Sequence, residues 1–337
     1  MPAGRIKILR REFDSAVLKY GFCGWGSTHI PPVHPPVHHS AQKAYRNRMQ
    51  SGMLDPLSYL HRAEMRFDPG FLLPDCRTII AFADYYMPET ARSWLSVFAQ
   101  GIDYHTVIPQ RLKMIAEETG ISGRICTDSA PLLEKYWASV CGLGFIGKNT
   151  LLITPNAGSW VFLGFLLSND GIDFRDDGQH SALMKTDVRS PNSIKYAGRP
   201  GLFCGDCRKC IDACPVRAIT APGVLDTRRC IACSTVELGA DSDYSFFGCD
   251  ICQRVCPLNN GIYFSKPVFS DDTGNLENSD ESPELPQNIR HSSYDVPDDK
   301  KLPLFPETKE IFLQNLPKNV EKYRHTPLWR KIRKMRT

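Results

Sequence analysis

Eight of the thirteen cysteines in this chain have a spacing that can hold iron–sulfur clusters. The first run reads C-x2-C-x2-C-x3-C-P, and a later run repeats this pattern with one member moved upstream. In such a pattern three thiolates hold one 4Fe–4S cubane, and the fourth reaches across to the other cubane. The spacing therefore predicts two interlocking ligand sets, Cys204, Cys207, Cys210 and Cys256 for one cluster, and Cys214, Cys230, Cys249 and Cys252 for the other.

A zinc ribbon and a disulfide framework are the alternative uses of paired cysteines. Zinc sites use separated CxxC pairs, whereas a continuous run that ends in Cys-Pro wraps the backbone around a cubane. Disulfides need an oxidising compartment, and residues 1–20 are charged throughout, without the apolar stretch of a secretory signal. Arg10 and Arg11 resemble a twin-arginine signal, but Asp14 and Lys19 interrupt the stretch that such a signal keeps apolar.

Length and composition indicate about two globular domains. The chain has 337 residues, of which 42% are hydrophobic, and a net charge of +4. Its longest apolar run, residues 160–167, is far shorter than the ~20 residues that cross a bilayer. We expect a cytoplasmic protein without a membrane span. The net charge alone is too small to indicate a nucleic-acid partner.

Helix and strand patterns alternate over residues 1–195. Helical spacing of apolar residues predicts helices over 6–18, 57–66, 104–118 and 132–140. Apolar runs predict strands over 78–85, 124–127, 150–153 and 160–167. This alternation predicts a layered α/β domain.

One glycine motif does not fit the function that its pattern usually indicates. Gly142, Gly144 and Gly147 match GxGxxG, but a predicted helix precedes them and an apolar run follows, which reverses the order of a dinucleotide-binding fold. We therefore expect a tight turn or a close backbone approach there.

Two polar clusters border predicted helices. At a strand-to-helix junction, the local pattern predicts Asp128 or Ser129 as an N-cap, with Pro131 in the first turn. Asp103, followed by Tyr104 and His105, is expected to cap another helix. A carboxylate at a strand end can instead face a ligand cleft, so both interpretations of Asp128 stay open at this point.

Three further segments have a biased composition. Residues 271–300 are rich in acids and prolines, as is typical of a linker or long loop. The last sixteen residues carry only basic charges, with Tyr323 and Trp329 among them, which indicates either a polyanion-binding segment or a solvated helix. A proline-rich segment brings four histidines close in sequence, but extended segments of this kind do not converge side chains on a metal: His29, His34, His38 and His39.

Several segments together resemble the epoxyqueuosine reductases. The sequence DSAPLLE at 128–134, GLGFIGKNTLLI at 142–153 and GSWVFLG at 158–164 carry the resemblance. RFDP at 66–69, GIDYH at 101–105 and the cysteine segments 204–215 and 225–231 extend it. These motifs follow one another in the family's order between residues 50 and 260.

The resemblance implies an α+β or α/β fold in three parts. Residues 1–195 would form a cobalamin-binding domain like that of reductive dehalogenases. Residues 196–262 would form a ferredoxin-like module with two 4Fe–4S clusters. Residues 263–337 would be an acidic linker and a short basic helical tail, partly disordered.

The same resemblance implies an enzyme that reduces epoxyqueuosine to queuosine in tRNA, with electrons passing through both clusters to base-off cobalamin. Asp128 would donate the proton to the epoxide oxygen, and burial against the corrin would raise its pKa. No Asp-x-His-x-x-Gly motif occurs, so no histidine axial ligand is expected. Family contacts with cobalamin fall, some through backbone, on Arg66, Asp128, Leu152, Leu163, Cys249 and Asp250.

Some features depart from the family. Cys233 stands where the family has another residue, and we expect a spare thiol rather than an alternative ligand to Cys230. The segment between Cys230 and Cys249 is shorter than usual, and the chain resembles only the opening of the helical repeats with which the family helps to bind tRNA. The implied partners are tRNA with epoxyqueuosine at the anticodon and a low-potential electron donor, with the protein a monomer. The alternatives are a cobalamin and iron–sulfur reductase of a small molecule, and a ferredoxin-type electron carrier.

Overall fold

The computed structural model of the chain describes residues 5–30, 36–86, 93–155, 157–176, 202–259, 309–310, 312–314, 323 and 326–334. The acidic segment 271–300 and His34 lie outside these ranges, as do the side chain of His38 and residues 322, 324–325 and 335–337 of the basic C-terminal segment. None of the helices among the described residues has the length and apolar character needed to span a membrane.

The described secondary structure alternates between short helices and strands. The α-helices are α1 Arg10–Lys19, α2 Pro36–Gln50, α3 Ala63–Phe67, α4 Tyr104–Thr119, α5 Glu134–Val140, α6 Lys209–Asp212, α7 Ile251–Arg254 and α8 Trp329–Lys334. The strands are β1 Arg5–Leu9, β2 Gly24–His29, β3 Thr78–Tyr85, β4 Arg124–Cys126, β5 Phe145–Ile146, β6 Leu152–Ile153, β7 Val161–Ser168, β8 Gly171–Arg175, β9 Ile219–Ala221 and β10 Val224–Leu225. Single 3-10 turns cover Ser58–His61, Pro69–Phe71, Val97–Gln100, Leu202–Cys204 and Pro257–Asn259, and a π-helical turn covers Cys233–Glu237.

A four-stranded antiparallel sheet in the order β2-β3-β7-β4 forms the centre of the N-terminal part. Successive side chains of a strand point to opposite faces, so β3 contributes to two cores. Ile79 packs in one core cluster with Trp137 of α5, and Ile80 packs in the other with Phe13 of α1 and Ile108 of α4. Helices therefore cover both faces of the sheet, and apolar burial on both sides stabilises it.

Local sequence pattern was sufficient for some of the predicted elements. The predicted strand over 78–85 is confirmed as β3, and the predicted helix over 104–118 is confirmed as α4. The predicted helix over 6–18 is wrong at its start, because residues 5–9 form β1 and pair in parallel with β8, with Arg5 opposite Gly171. That pairing joins residues far apart in sequence. The helix predicted over 57–66 is interrupted, because Arg62 has φ −90° and ψ 70° and ends the first turn.

The glycine motif forms a tight hairpin. Helix α5 precedes it, and β5 pairs with β6 immediately afterwards. A Cβ atom on Gly144 would lie 2.3 Å from the carbonyl oxygen of Ile153, so only glycine allows the two backbones to approach so closely.

The cysteine-rich segment, residues 202–259, is bound to the sheet domain by a buried polar network. Asn259 Oδ1 accepts from the backbone N–H of Ser159 at 2.8 Å, and Asn259 Nδ2 donates to Ser159 Oγ at 2.9 Å. Gln253 Nε2 donates to the Ser159 carbonyl at 2.9 Å. Because buried polar groups are costly when unpaired, this network fixes how the two parts meet.

Part of the C-terminal region packs against both parts of the chain. A third core cluster joins Leu95 and Phe246 to Phe312, Tyr323 and Ile332. Tyr323 is therefore a core residue in this structure, 5.1 Å from the ring of Phe312.

Candidate active site

Asp128 lies in a strained loop between β4 and α5. Its φ of 50° is in the left-handed region, which an aspartate adopts more readily than most residues. The N-cap prediction is wrong, because α5 begins at Glu134 and its N-cap, Leu133, makes no side-chain hydrogen bond. Instead, the backbone N–H of Asp128 donates to Glu134 Oε1 at 2.5 Å. The Asp128 side chain is 56% exposed and so is open to a ligand.

The second polar cluster meets Asp128 in space. His105 Nε2 lies 2.9 Å from Asp128 Oδ2, and Tyr104 Oη donates to the same oxygen at 3.0 Å. His105 Nδ1 lies 2.6 Å from Asp103 Oδ1, and Asp103 also caps α4 by accepting from the His105 N–H, as predicted. The Tyr104 ring stacks on Phe162 of β7 with centroids 4.1 Å apart. The start of α4 thus holds the Asp128 carboxylate from one side.

Two groups beside Asp128 have raised pKa values. Hydrogen bonds to Asp103 and Asp128 raise the pKa of His105 to about 10, so the imidazole is protonated at neutral pH. The hydrogen bond from His105 lowers the pKa of Asp128 in this structure, whereas the rise predicted for burial against a corrin stays a prediction. Burial, reinforced by the charge on Asp128, raises the pKa of Glu134 to about 8. Acidic protons near Asp128 at neutral pH therefore reside on His105 and Glu134.

Arg66 and Tyr59 lie beside this acid cluster. Arg66 is buried and donates from Nη2 to the Tyr59 carbonyl at 3.0 Å, and its guanidinium carbon lies 5.5 Å from the centroid of the Tyr59 ring. Among the described residues, Arg66 Nε has no hydrogen-bond partner. Its charge also lowers the pKa of Asp128, which places both groups in the same region. A buried donor with no partner and a tyrosine that is 53% exposed are features of a site that a ligand completes.

The remaining residues that the resemblance assigned to cobalamin are less open. Leu152 and Leu163 belong to the buried core cluster beneath one sheet face. The Asp250 carboxylate already accepts from Ser96 Oγ and from the Val97 N–H. The Asp250 carbonyl likewise accepts from the Gln253 and Arg254 N–H groups, so the cofactor contact of Asp250 stays a prediction.

Four thiols converge on one cavity. Cys204, Cys207, Cys210 and Cys256 line it together with Lys148, Asn149, Ile153, Phe203, Pro257 and Leu258. Burial raises the pKa of Cys210, and the neighbouring thiols Cys256, Cys204 and Cys207 raise it further.

The other cysteines of the pattern form a second group. Burial raises the pKa of Cys249, with additional contributions from Cys230 and Cys214. Burial likewise raises the pKa of Cys252, with contributions from Cys249 and Cys230 among others. All thirteen cysteines are free thiols, so no disulfide framework is present. Among the described residues, no three His, Cys, Asp or Glu side chains converge closely enough to hold a single metal ion. The four thiols that line the first cavity match the ligand number of a 4Fe–4S cluster.

Cys233 lies next to the second group and is buried, and burial raises its pKa to about 11. It begins the π-helical turn Cys233–Glu237. Its expected role as a spare thiol stays a prediction.

Sequence reasoning missed four residues that the structure brings to the site. Tyr104 and His105 were assigned only to a helix start, and Glu134 and Lys148 were part of family motifs without an assigned role. The motif GIDYH was the available indication in the sequence. A helix N-cap requires only the aspartate of this motif, so its tyrosine and histidine are left without a capping role.

The fold and the two thiol groups define a class, the iron–sulfur oxidoreductases with a double-cluster domain. Residues 203–259 match the sequence profile of the 4Fe-4S double cluster binding domain, and residues 66–129 match that of the epoxyqueuosine reductase QueG domain. An epoxyqueuosine reductase of Atelocyanobacterium thalassa is 35% identical over 255 residues, which cover 68% of this chain and 75% of the relative. The chain belongs to the epoxyqueuosine reductase family.

Solved structures agree with this assignment. An epoxyqueuosine reductase crystallised with a tRNA-Tyr epoxyqueuosine-modified stem loop is 27% identical, with a TM-score of 0.58, over 74% of this chain and 65% of that one. The Bacillus subtilis enzyme, captured with its catalytic aspartate loop swung out of the active site, is also 27% identical, with a TM-score of 0.57 and the same coverage. The chain thus spans just under two thirds of these solved relatives.

Proposed function

We propose that this chain reduces epoxyqueuosine to queuosine in tRNA. The overall change is the epoxide plus two electrons and two protons giving the alkene and water. The contact between His105 and Asp128 is the observation that carries the proposal, because it places a protonated group against a carboxylate that a ligand can reach. Family membership and the solved relative with a modified tRNA stem loop support the choice of substrate.

The cofactors follow from the family and the donor sets. We assign one 4Fe–4S cluster to Cys204, Cys207, Cys210 and Cys256, which share a cavity, and the other to Cys214, Cys230, Cys249 and Cys252. The unpartnered Arg66 Nε and the exposed Asp128 and Tyr59 side chains fit a cobalamin site beside the second group. When bound, cobalamin supplies a reducing cobalt centre, and the clusters supply electrons one at a time.

The residues of the chain would supply the proton. Asp128 Oδ2 accepts from both Tyr104 and His105, and these bonds hold the carboxylate in one orientation. The imidazolium of His105 is in direct contact with Asp128 Oδ2 and passes its proton to the Asp128 carboxylate. As the epoxide C–O bond breaks, negative charge grows on its oxygen, and Asp128 delivers this proton to it. Asp103, at the other ring nitrogen, stabilises the charge on His105 and fixes its orientation.

The setting of the proposed reaction follows from its substrate. A tRNA substrate is consistent with a cytoplasmic enzyme and with a low-potential electron donor as the second partner. The monomeric state stays a prediction.

The test is anaerobic turnover of the reconstituted chain with cobalamin, a low-potential reductant and tRNA that bears epoxyqueuosine, followed by nucleoside mass spectrometry. We expect queuosine from the wild-type chain and a rate at least about 100-fold lower from Asp128→Asn, since a positioned general acid contributes about that much or more. Iron and corrin content should stay at wild-type levels in the variant. Intact cofactors without queuosine in the wild-type chain would refute the proposed substrate, and normal turnover by Asp128→Asn would remove Asp128 from the mechanism.

A further inference from the structure

The turn between β5 and β6 reaches from the sheet domain into the cysteine-rich segment. Thr150 has a φ of 67°, and two backbone hydrogen bonds close the turn: the Gly147 N–H donates to the Leu151 carbonyl at 2.8 Å, and the Thr150 N–H donates to the Gly147 carbonyl at 3.0 Å. These constraints leave the turn little conformational freedom. The tip of this turn carries Lys148 and Asn149.

Lys148 is fixed at the rim of the first thiol cavity. Its Nζ donates to the carbonyl oxygens of Gly205 at 2.5 Å and Cys207 at 2.9 Å, and its side chain lines the cavity. The backbone carbonyl of Lys148 accepts from the Gly223 N–H at 2.9 Å. The lysine is therefore half-buried and held at both its backbone and its amine.

The positive charge of Lys148 interacts electrostatically with any charged group that the cavity binds. Reduction adds one negative charge to a 4Fe–4S cluster, and nearby charge, hydrogen bonding and solvent exposure set its potential. Attraction between a half-buried cation and that extra charge is screened less than it would be in water. The next residue, Asn149, contacts the carbonyl of Cys252 in the other thiol group at 3.4 Å with a neutral amide. The β5–β6 turn thus places the charged Lys148 beside the first thiol group and the neutral Asn149 amide beside the second.

We propose that Lys148 is a positioning residue that raises the reduction potential of the cluster bound by Cys204, Cys207, Cys210 and Cys256. The inference rests on the cluster assignment of the proposed function. The higher potential makes this cluster a better acceptor for the single electron that the external donor supplies. Lys148 lines the cavity that would hold the cluster, and its hydrogen bonds to Gly205 and Cys207 keep the ligand loop in place.

The experiment is a redox titration of the reconstituted full chain, followed by electron paramagnetic resonance and fitted to two one-electron steps. Lys148→Met removes the charge and keeps the aliphatic stem, and Lys148→Arg keeps the charge. We expect Lys148→Met to lower the equilibrium constant for reducing one cluster about tenfold, which is about 59 mV toward more negative potential for one electron. The other step should not move, and Lys148→Arg should stay close to the wild-type chain.

Lys209 offers a matched control. It lies between two of the assigned ligands but is exposed, so solvent should screen its charge. Lys209→Met should shift the same step much less than Lys148→Met does. An equal shift from both variants, or equal shifts of both steps in Lys148→Met, would overturn the specific role of Lys148.

Iron content separates the possible failures. The wild-type chain should bind about eight iron atoms if both clusters form. Absence of iron from the wild-type chain would overturn the proposed function and this inference together. Full iron content with unmoved midpoints in Lys148→Met would overturn this inference alone. If Lys148→Met fails to bind iron, Lys148→Gln, which keeps an amide donor without the charge, provides the same comparison.

Discussion

Asp128 forms a hydrogen-bonded acid pair with His105 and is not an isolated carboxylic acid. Its Oδ2 contacts both Tyr104 and His105, and its own pKa is lowered by the His105 bond. A carboxylate with a low pKa is a poor proton reservoir, whereas the adjacent imidazolium with a pKa of about 10 holds its proton throughout the neutral range. Catalytic acidity at this site is therefore a property of the pair.

Replacing the His105 imidazolium by a neutral side chain should change the pH dependence of the reaction rate. His105 loses its proton only as the pH rises through about 10, so the wild-type single-turnover rate should be nearly flat over about pH 6.5 to 9. We expect His105→Gln to be about 100-fold slower at neutral pH and to decline as the pH rises, because solvent must then provide the proton. Rates with modified tRNA stem loop across this range measure the effect.

Tyr104→Phe is the matched control for His105→Gln. It removes one hydrogen bond to Asp128 and leaves the imidazolium in place. Its profile should stay flat although its rate falls. If His105→Gln kept a flat profile as well, His105 would not be the proton source.

At the scale of elements, two connections position the chemistry. The loop from β4 to α5 holds Asp128 in a left-handed conformation, and Glu134 at the first position of α5 accepts its backbone N–H. The β5–β6 turn brings Lys148 to the thiol cavity.

Glu134 should hold the Asp128 loop in place by accepting a hydrogen bond at its carboxyl oxygen. A negative charge on Glu134 is not required for this role. Its pKa of about 8 leaves the carboxyl mostly neutral at pH 7, so Glu134→Gln keeps the relevant acceptor. We expect Glu134→Ala to lower kcat about tenfold, which corresponds to about 1.4 kcal/mol for one lost hydrogen bond, with KM little changed.

The comparison of Glu134→Ala with Glu134→Gln at pH 7 tests this role. Steady-state rates should place Glu134→Gln near the wild-type chain. Equal loss of activity in both variants would show that the carboxyl group itself, and not the acceptor, is required.

At the scale of the whole molecule, part of the basic tail stabilises the fold. Lys331 is 4% exposed, and its Nζ donates to the carbonyls of Phe246 at 2.7 Å and Ala240 at 3.2 Å. Burial lowers its pKa, and the amine lies 4.5 Å from the centroid of the Phe246 ring. Lys331 is thus unavailable to phosphates, in contrast to the polyanion-binding interpretation of this segment, whereas Arg333 is exposed.

Replacing Lys331 should release α8. We expect Lys331→Met to leave the two carbonyl oxygens without their donor and to destabilise the docked helix by about 1–3 kcal/mol. Hydrogen exchange of the α8 amides measures this change as faster exchange. Arg333→Met, on the same helix but exposed, should leave exchange unchanged. Similar protection in Lys331→Met and in the wild-type chain would contradict a structural role for Lys331.

Some features could be predicted because their information is local. The cysteine spacing is a covalent property of the chain, and the apolar run of β3 and the capping position of Asp103 each depend on a few neighbouring residues. The glycine motif could be recognised as unsuitable for a dinucleotide because the order of the flanking elements is also local.

The sequence by itself therefore determined the double-cluster pattern, the family resemblance and the main elements of the sheet domain. Only the tertiary structure decided that His105 contacts Asp128, that Lys148 lies at a thiol cavity and that Lys331 is buried. His105 and Asp128 are 23 residues apart on different elements, and Lys148 and Cys207 are 59 apart. Proton affinity and charge interactions depend on distance and burial in space, and these are set when remote segments pack together.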